Sequence, residues 1–219
     1  MNRVDRARRA IGLIDLTDLS DDHAPDGIDE LCRRAREHGT AAVCVWPEFV
    51  STCAAQLAGS GVRVATVVNF PTGAEPVADV EAATRRALAD GADDIDVVLP
   101  YEAFLAGDEQ SAGETVSALA ALVDEPHVLK VILESGALGS AETVGAAARL
   151  AIDCGADFVK TSTGKISAGA SLEAAGAMLE AIRDAGRPVG LKPSGGIRTF
   201  DEAMAYVDLA DSVMGEGWA

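Results

Sequence analysis

Residues 156–165 read ADFVKTSTGK, an apolar run that ends in a lysine, three hydroxyl residues, a glycine and a second lysine. The run follows Gly155 and is typical of a buried strand, with Lys160 at its end. Burying an ammonium group is costly unless the group is paired or neutral. A neutral lysine is a nucleophile toward carbonyl carbon, so Lys160 is a candidate for Schiff-base chemistry.

Lysine is scarce in this chain. Of 18 basic residues only four are lysines, and each lies in or just after an apolar run: Lys130, Lys160, Lys165 and Lys192. Arginine supplies the other positive charges, and only lysine readily loses its proton and forms a Schiff base. The lysines are therefore candidates for chemistry. The alternative interpretation is that the low lysine content is a compositional bias and that the positions of the four lysines are due to chance.

Length and charge limit the class of protein. With 219 residues, 48% of them hydrophobic and 24% charged, residues 1–219 are expected to form one globular domain. The net charge of -17 argues against nucleic acid and anionic membranes as partners. We find no apolar run of the roughly 18 residues that a membrane helix needs, and no signal peptide. The four cysteines show no C-x-x-C spacing, so we expect reduced thiols in the cytoplasm and neither a metal cluster nor a disulfide framework: Cys32, Cys44, Cys53 and Cys154. We expect no cofactor.

Strand-like and helix-like segments alternate along the chain. We predict strands at 11–16, 41–46, 61–68, 94–98, 128–133, 158–160 and 189–192, each followed by a helical segment, the last at 200–209. Such apolar strands predict a parallel α/β architecture. Polar residues follow the strands and no G-x-G-x-x-G follows the first, so a TIM (β/α)₈-type barrel is favoured over an open doubly wound sheet. We count seven βα units, so we expect the eighth unit of the barrel to be missing. Either the sequence is shortened, or another chain covers the opening.

Alternation along the strands predicts which side chains face inward. Side chains of a strand point alternately to its two faces, and Ile95 and Val97 should meet the outer helices. The interior face then collects one carboxylate and three amines: Asp96, Lys130, Lys160 and Lys192. We expect burial and the Lys192 ammonium to lower the pKa of Lys160, while Asp96 and Lys192 transfer protons. A buried structural ion pair is the alternative.

Two segments are suited to binding phosphate. Thr163-Gly164-Lys165 follows the sixth strand, and Ser194-Gly195-Gly196-Ile197-Arg198 follows the seventh and opens a helix. Backbone N–H groups that are free at a glycine turn or helix N-terminus bind anions, and barrels often place phosphate at this position.

These segments resemble the signatures of the deoxyribose-phosphate aldolase family of class I aldolases. The resemblance covers nearly the whole chain, in the family's order, and rests on five segments: IDLT at 14–17, NFPTG at 69–73, DIDVVLPY at 94–101, DFVKTSTGK at 157–165 and LKPSGGIR at 191–198. Members of that family continue into a further strand with a Gly-x-Ser-Ser-like phosphate loop, whereas this sequence ends at Trp218-Ala219.

The resemblance implies a reaction and a set of roles. The reaction is metal-free, reversible cleavage of 2-deoxy-D-ribose 5-phosphate to glyceraldehyde 3-phosphate and acetaldehyde. Lys160 would form the Schiff base, with Asp96 and Lys192 as the proton-transfer pair. The other predicted site residues would line the pocket or hold phosphate: Asp15, Thr17, Cys44, Lys130, Thr163, Gly164, Lys165, Gly195, Gly196 and Arg198. Two alternatives stay open: another Schiff-base lyase, and an inactive incomplete barrel that binds phosphate or a partner. A homo-oligomer is also possible.

Overall fold

The computed structural model describes residues 2–21 and 25–219. Strands and helices alternate after a first helix, and a short 3₁₀ turn at Pro47–Phe49 precedes the third helix. The strands are β1 Asp15–Asp18, β2 Ala42–Val45, β3 Arg63–Val68, β4 Asp94–Val98, β5 Val128–Ile132, β6 Phe158–Lys160 and β7 Gly190–Lys192. The helices are α1 Arg3–Ile11, α2 Pro25–His38, α3 Val50–Leu57, α4 Val77–Ala89, α5 Tyr101–Leu105, α6 Glu109–Ala120, α7 Ser135–Leu138, α8 Ala141–Asp153, α9 Leu172–Asp184 and α10 Phe200–Met214.

The seven strands form one parallel sheet in chain order, from β1 to β7. Each strand pairs with the next, as βα units that repeat with one handedness require. The sheet is of the TIM-barrel type, and among the described residues no eighth strand joins β7 to β1. The prediction of seven units in a parallel α/β fold is therefore confirmed.

Several predicted boundaries differ from those of the structure, most of all at the first strand and the last helix. The first strand begins at Asp15 rather than at residue 11, because Ile11 completes α1 and a turn follows, in which Ile14 N–H donates to the Ile11 carbonyl at 3.1 Å. Asp15 consequently opens β1 instead of closing it. The last helix continues beyond residue 209 to Met214, because Val213 and Met214 still pack against the core.

The strand faces divide as their alternation predicts. Ile95 and Val97 lie in the main core between sheet and helices, and Asp94 and Asp96 occupy the other face of the same strand. The interior faces of β2 and β3 carry small side chains that form a separate cluster: Ala42, Cys44, Ala65 and Val67. Small side chains there leave the interior open for the longer charged ones.

Helices α1 and α10 pack together beside the two sheet edges. Arg6 pairs with Asp208 at 2.6 Å and Arg9 with Asp211 at 3.0 Å, while Ala10 contacts the apolar face of α10. A cavity of about 1040 Å³ lies between these helices, β1 and β7, and it extends to the interior charges. Among the described residues, no helix combines the length and apolar character needed to cross a bilayer.

Candidate active site

The barrel interior contains a chain of alternating charges that links β4, β5 and β6. The Lys160 ammonium donates to Asp96 Oδ2 at 2.6 Å, and the Lys130 ammonium donates to Asp96 Oδ1 at 3.0 Å and to Asp94 Oδ2 at 2.6 Å. All four side chains are buried, and Asp96 is completely inaccessible to solvent. Burying such charges is tolerated because each has opposite charges beside it.

The ion pairs shift the pKa of Asp96 strongly. Burial opposes its ionisation, but the ammonium groups of Lys130 and Lys160 outweigh that effect and lower its pKa to about 2. Asp96 is therefore a carboxylate at neutral pH and a weak base. The paired arrangement also fits the alternative of a structural ion pair for Asp96 and Lys130.

The pKa of Lys160 is shifted in the direction opposite to that predicted. Burial lowers it, but the adjacent Asp96 carboxylate outweighs burial and places the pKa above its ordinary value. The prediction of a neutral resting amine is therefore wrong. The sequence argument took Lys192 as the dominant neighbour, whereas the nearest charged group is an anion.

Lys192 is the amine with the lowered pKa. Burial lowers it, and the attraction of Asp15, whose Oδ1 lies 2.7 Å from the ammonium, only partly offsets this. The same ammonium donates to the Leu13 carbonyl at 3.0 Å. Lys192 thus connects β7 to the segment that leads into β1. This contact joins the two edge strands of the sheet, which both line the cavity.

The structure brings most of the predicted residues to one cavity. Eight of them line it, from the interior charges to the glycine loop after β7: Asp15, Thr17, Lys130, Lys160, Lys192, Gly195, Gly196 and Arg198. Asp96 and Cys44 lie in the closed interior behind them, and burial raises the pKa of the Cys44 thiol to about 12, so this thiol stays protonated. Thr17 donates its hydroxyl proton to the Asp15 carbonyl.

Lys165 lies at the mouth of the barrel rather than in this cavity. Its ammonium is 3.0 Å from Asp21 and 5.4 Å from the centre of the Trp46 ring. The Trp46 indole N–H donates to the Ser20 carbonyl at 3.0 Å. The loop after β6 therefore reaches across to the loops after β1 and β2, a contact that no local pattern of residues indicated.

The predicted anion site at the start of α10 is only partly available. The N–H groups of Arg198 and Thr199 donate to the Glu202 carboxylate at 2.8 and 2.9 Å, and Thr199 caps the helix. The spacing Thr-x-x-Glu is the sequence signal that the prediction missed. In the described chain the backbone N–H groups of Gly195 and Gly196 donate to no acceptor, and both residues have left-handed φ, +87° and +88°. These two groups remain suited to an anion.

Glu134 is a further buried group that the predicted set omitted. It lies two residues after the end of β5, its side chain is completely buried, and its carboxylate accepts hydrogen bonds from Thr163. Its position on the same strand face as Lys130 and Ile132 was the available signal.

The chain is similar in sequence and in fold to known aldolases. The chain is 48% identical over 216 residues to a deoxyribose-phosphate aldolase of Agrobacterium fabrum, covering 97% of this chain and 83% of that protein. A crystal structure of a Coccidioides immitis protein assigned as a deoxyribose-phosphate aldolase is 34% identical, with a TM-score of 0.85 over 91% of this chain and 79% of that one. A tetrameric deoxyribose phosphate aldolase from Aeropyrum pernix is 27% identical, with a TM-score of 0.84 over 94% and 87%. Since the model of the DeoC/LacD family aldolases matches residues 9–216, the chain belongs to that family.

Proposed function

We propose that this chain is a class I aldolase that cleaves 2-deoxy-D-ribose 5-phosphate, reversibly, to D-glyceraldehyde 3-phosphate and acetaldehyde through a Schiff base on Lys160. The observation that carries the proposal is a buried lysine at the carboxyl end of β6, 2.6 Å from the Asp96 carboxylate, in a chain of an aldolase family. The carboxyl ends of barrel strands are where such folds place their chemistry.

The resting ammonium of Lys160 must lose a proton before it can attack a carbonyl carbon. Asp96 is a poor acceptor because its pKa is about 2. Lys192 is the better one, since burial lowers its pKa and it pairs in register with Lys160 on the neighbouring strand. In this proposal Asp96 orients the nitrogen of Lys160, and Lys192 receives its proton.

The chemistry then follows from the imine. The Lys160 nitrogen adds to C1 of the open-chain sugar, and water leaves to form an iminium ion. The C3 hydroxyl loses its proton and its oxygen becomes a carbonyl as the C2–C3 bond breaks, so D-glyceraldehyde 3-phosphate leaves. The electrons of the broken bond pass to the iminium, which becomes an enamine. The enamine gains a proton at C2, and water releases acetaldehyde and restores the amine. Asp96 holds this nitrogen at 2.6 Å, and Lys192, in register with Lys160 on the neighbouring strand, exchanges these protons, directly or through water.

The phosphate end of the sugar is assigned to cationic and N–H groups around the cavity mouth. Gly195 and Gly196 offer backbone N–H groups, and Arg198 lines the same part of the cavity. Lys165 lies at the mouth, where an incoming dianion would compete with Asp21 for its ammonium. Such local positive charge is needed because the chain carries a net charge of -17.

Trapping the imine tests this proposal. Incubation with acetaldehyde and borohydride should alkylate Lys160 irreversibly, which peptide mass spectrometry locates. Lys160→Arg should abolish labelling and turnover with an unchanged circular dichroism spectrum. The matched change Lys165→Arg should leave the labelling of Lys160 intact. A label on Lys130 or Lys192 in the wild-type chain would contradict the assigned nucleophile.

Partners and location follow from the same proposal. The substrates are a small phosphorylated sugar and acetaldehyde, and the expected location is the cytoplasm. The tetramer described for the Aeropyrum pernix relative supports a homo-oligomer as the form to expect. Analytical ultracentrifugation measures it, and a single monomeric species at assay concentrations would contradict it.

A further inference from the structure

The backbone of Glu134 adopts a conformation that side chains with a Cβ atom disfavour. Its φ and ψ are 53° and 57°, the left-handed region. The residues on either side are held to the end of β6, because Leu133 N–H donates to the Lys160 carbonyl at 2.9 Å and Ser135 N–H donates to the Thr161 carbonyl at 2.8 Å. The chain therefore bends around the nucleophile strand, and such bends persist where the surroundings over-determine them.

The side chain of Glu134 holds the loop that follows Lys160. Its Oε2 accepts from the backbone N–H of Thr163 at 3.3 Å and from the Thr163 hydroxyl. A hydroxyl has a single proton, so donation to Glu134 leaves a lone pair that accepts from Lys165 N–H at 3.0 Å. Gly164, with φ of +77°, forms the turn between them. Glu134 thus sets the backbone of Lys165 through one intermediate residue.

The same carboxyl group is poorly arranged for stability. Its Oε1 is buried without a hydrogen-bond partner, and none of the described basic side chains forms an ion pair with it. A buried carboxyl group with one unsatisfied oxygen costs free energy that an apolar side chain would not. The presence of this destabilising carboxyl group beside the Lys165 loop indicates that it has a role in that loop.

We infer that Glu134 is a positioning residue that orders the Thr163-Gly164-Lys165 turn for the phosphate end of the substrate. The inference rests on the proposed function, because it takes Lys165 as a phosphate-binding group. Glu134 itself touches no reacting atom in this account. Its loss should weaken recognition of the phosphate and leave the Lys160–Asp96 pair unchanged.

Kinetics on two substrates test the inference. Glu134→Met removes the acceptor at similar length, and Thr163→Val removes the hydroxyl at similar volume. Each should raise KM for 2-deoxy-D-ribose 5-phosphate by about 10-fold, with kcat and the kcat/KM for unphosphorylated 2-deoxy-D-ribose within about 2-fold. The conservative changes Glu134→Gln and Thr163→Ser keep an acceptor and a hydroxyl, so each should stay within about 3-fold of wild type. Glu142→Gln removes an equal charge at an exposed site and should change nothing.

A double variant and a binding assay complete the test. Because Glu134 and Thr163 act through the same contact, Glu134→Met combined with Thr163→Val should raise KM no more than the larger single change. Inorganic phosphate should raise the Tm of the wild-type chain more than that of either single variant, a readout that needs no turnover. Three results would overturn the inference. They are equal losses of kcat on both substrates, an increase in KM for the double variant that equals the product of the two single increases, and a KM for Glu134→Gln as high as that for Glu134→Met. Failure of the wild-type chain to be labelled at Lys160 would instead refute the proposed function. If Glu134→Met fails to fold, the measurements on Thr163→Val test the inference.

Discussion

The Lys160 ammonium and the Asp96 carboxylate lie 2.6 Å apart although a complete strand, β5, separates their own strands. The contact forms because both side chains point into the barrel, and the second oxygen of Asp96 is held by Lys130 from the strand between them. Asp96 therefore orients the nucleophile and at the same time keeps it protonated at rest. This relationship predicts that removing the carboxylate separates binding of the aldehyde from turnover.

Asp96→Asn should make imine formation easier and turnover harder. The Asp96 carboxylate is the group that raises the pKa of Lys160, so without it burial should dominate and the pKa should fall. Borohydride trapping of acetaldehyde should then proceed at lower pH than in wild type, while kcat drops by about 10²-fold because the nitrogen loses the group that orients it. Asp94→Asn, which leaves the Lys160–Asp96 contact in place, is the control. An unchanged pH profile of trapping would contradict the role of Asp96.

Lys192→Arg should abolish the rise of activity with pH. The pKa of Lys192 is lowered by burial, with Asp15 opposing this and the ammonium groups of Lys130 and Lys160 adding to it. As the pH increases through that pKa, Lys192 becomes neutral and can accept the proton of Lys160. A guanidinium stays protonated at these pH values, so kcat should fall by about 100-fold and lose this limb of its pH profile. A variant with the wild-type profile would exclude Lys192 as the acceptor.

Asp21→Asn should strengthen recognition of the phosphate. Asp21 holds the Lys165 ammonium at 3.0 Å, and its own side chain is largely exposed. Exposed ion pairs contribute little, so we expect KM for the phosphorylated sugar to fall by only about 2- to 3-fold, with kcat unchanged. Asp153→Asn removes an equal charge from the exposed end of α8 and should have no effect. If both variants lower KM equally, the net charge rather than this contact is responsible.

Gly169→Ala should displace the glycine loop after β7. A Cβ atom on Gly169 would clash with the Gly195 carbonyl oxygen, a backbone atom that cannot move aside alone. We expect a loss of about 1–3 kcal/mol in the free energy of unfolding and a higher KM for phosphate-bearing substrate. The matched change Gly176→Ala lies in α9, where a Cβ meets nothing within 4 Å, so it should stabilise the chain by about 0.5–1 kcal/mol. Urea unfolding measures both, and equal stability of the two variants would refute the predicted clash.

Local patterns in the sequence determined the order of elements and the face on which each strand residue lies. The period of two along a strand placed Asp96, Lys130, Lys160 and Lys192 inside the barrel, and apolar runs between helical segments identified the parallel strands. These features depend on residues that are neighbours in the chain.

Only the tertiary structure decided which charges pair. The alternation of side chains along each strand does not predict that Asp96 pairs with Lys160 and Asp15 with Lys192. The curl and register of the sheet bring together these side chains from strands that are not adjacent. The direction of the Lys160 pKa shift reversed for the same reason, since the sign depends on whether the nearest neighbour is an anion or a cation. The bond between Glu134 and Thr163 likewise joins two loops from different strands, and chain order carries no information on that distance.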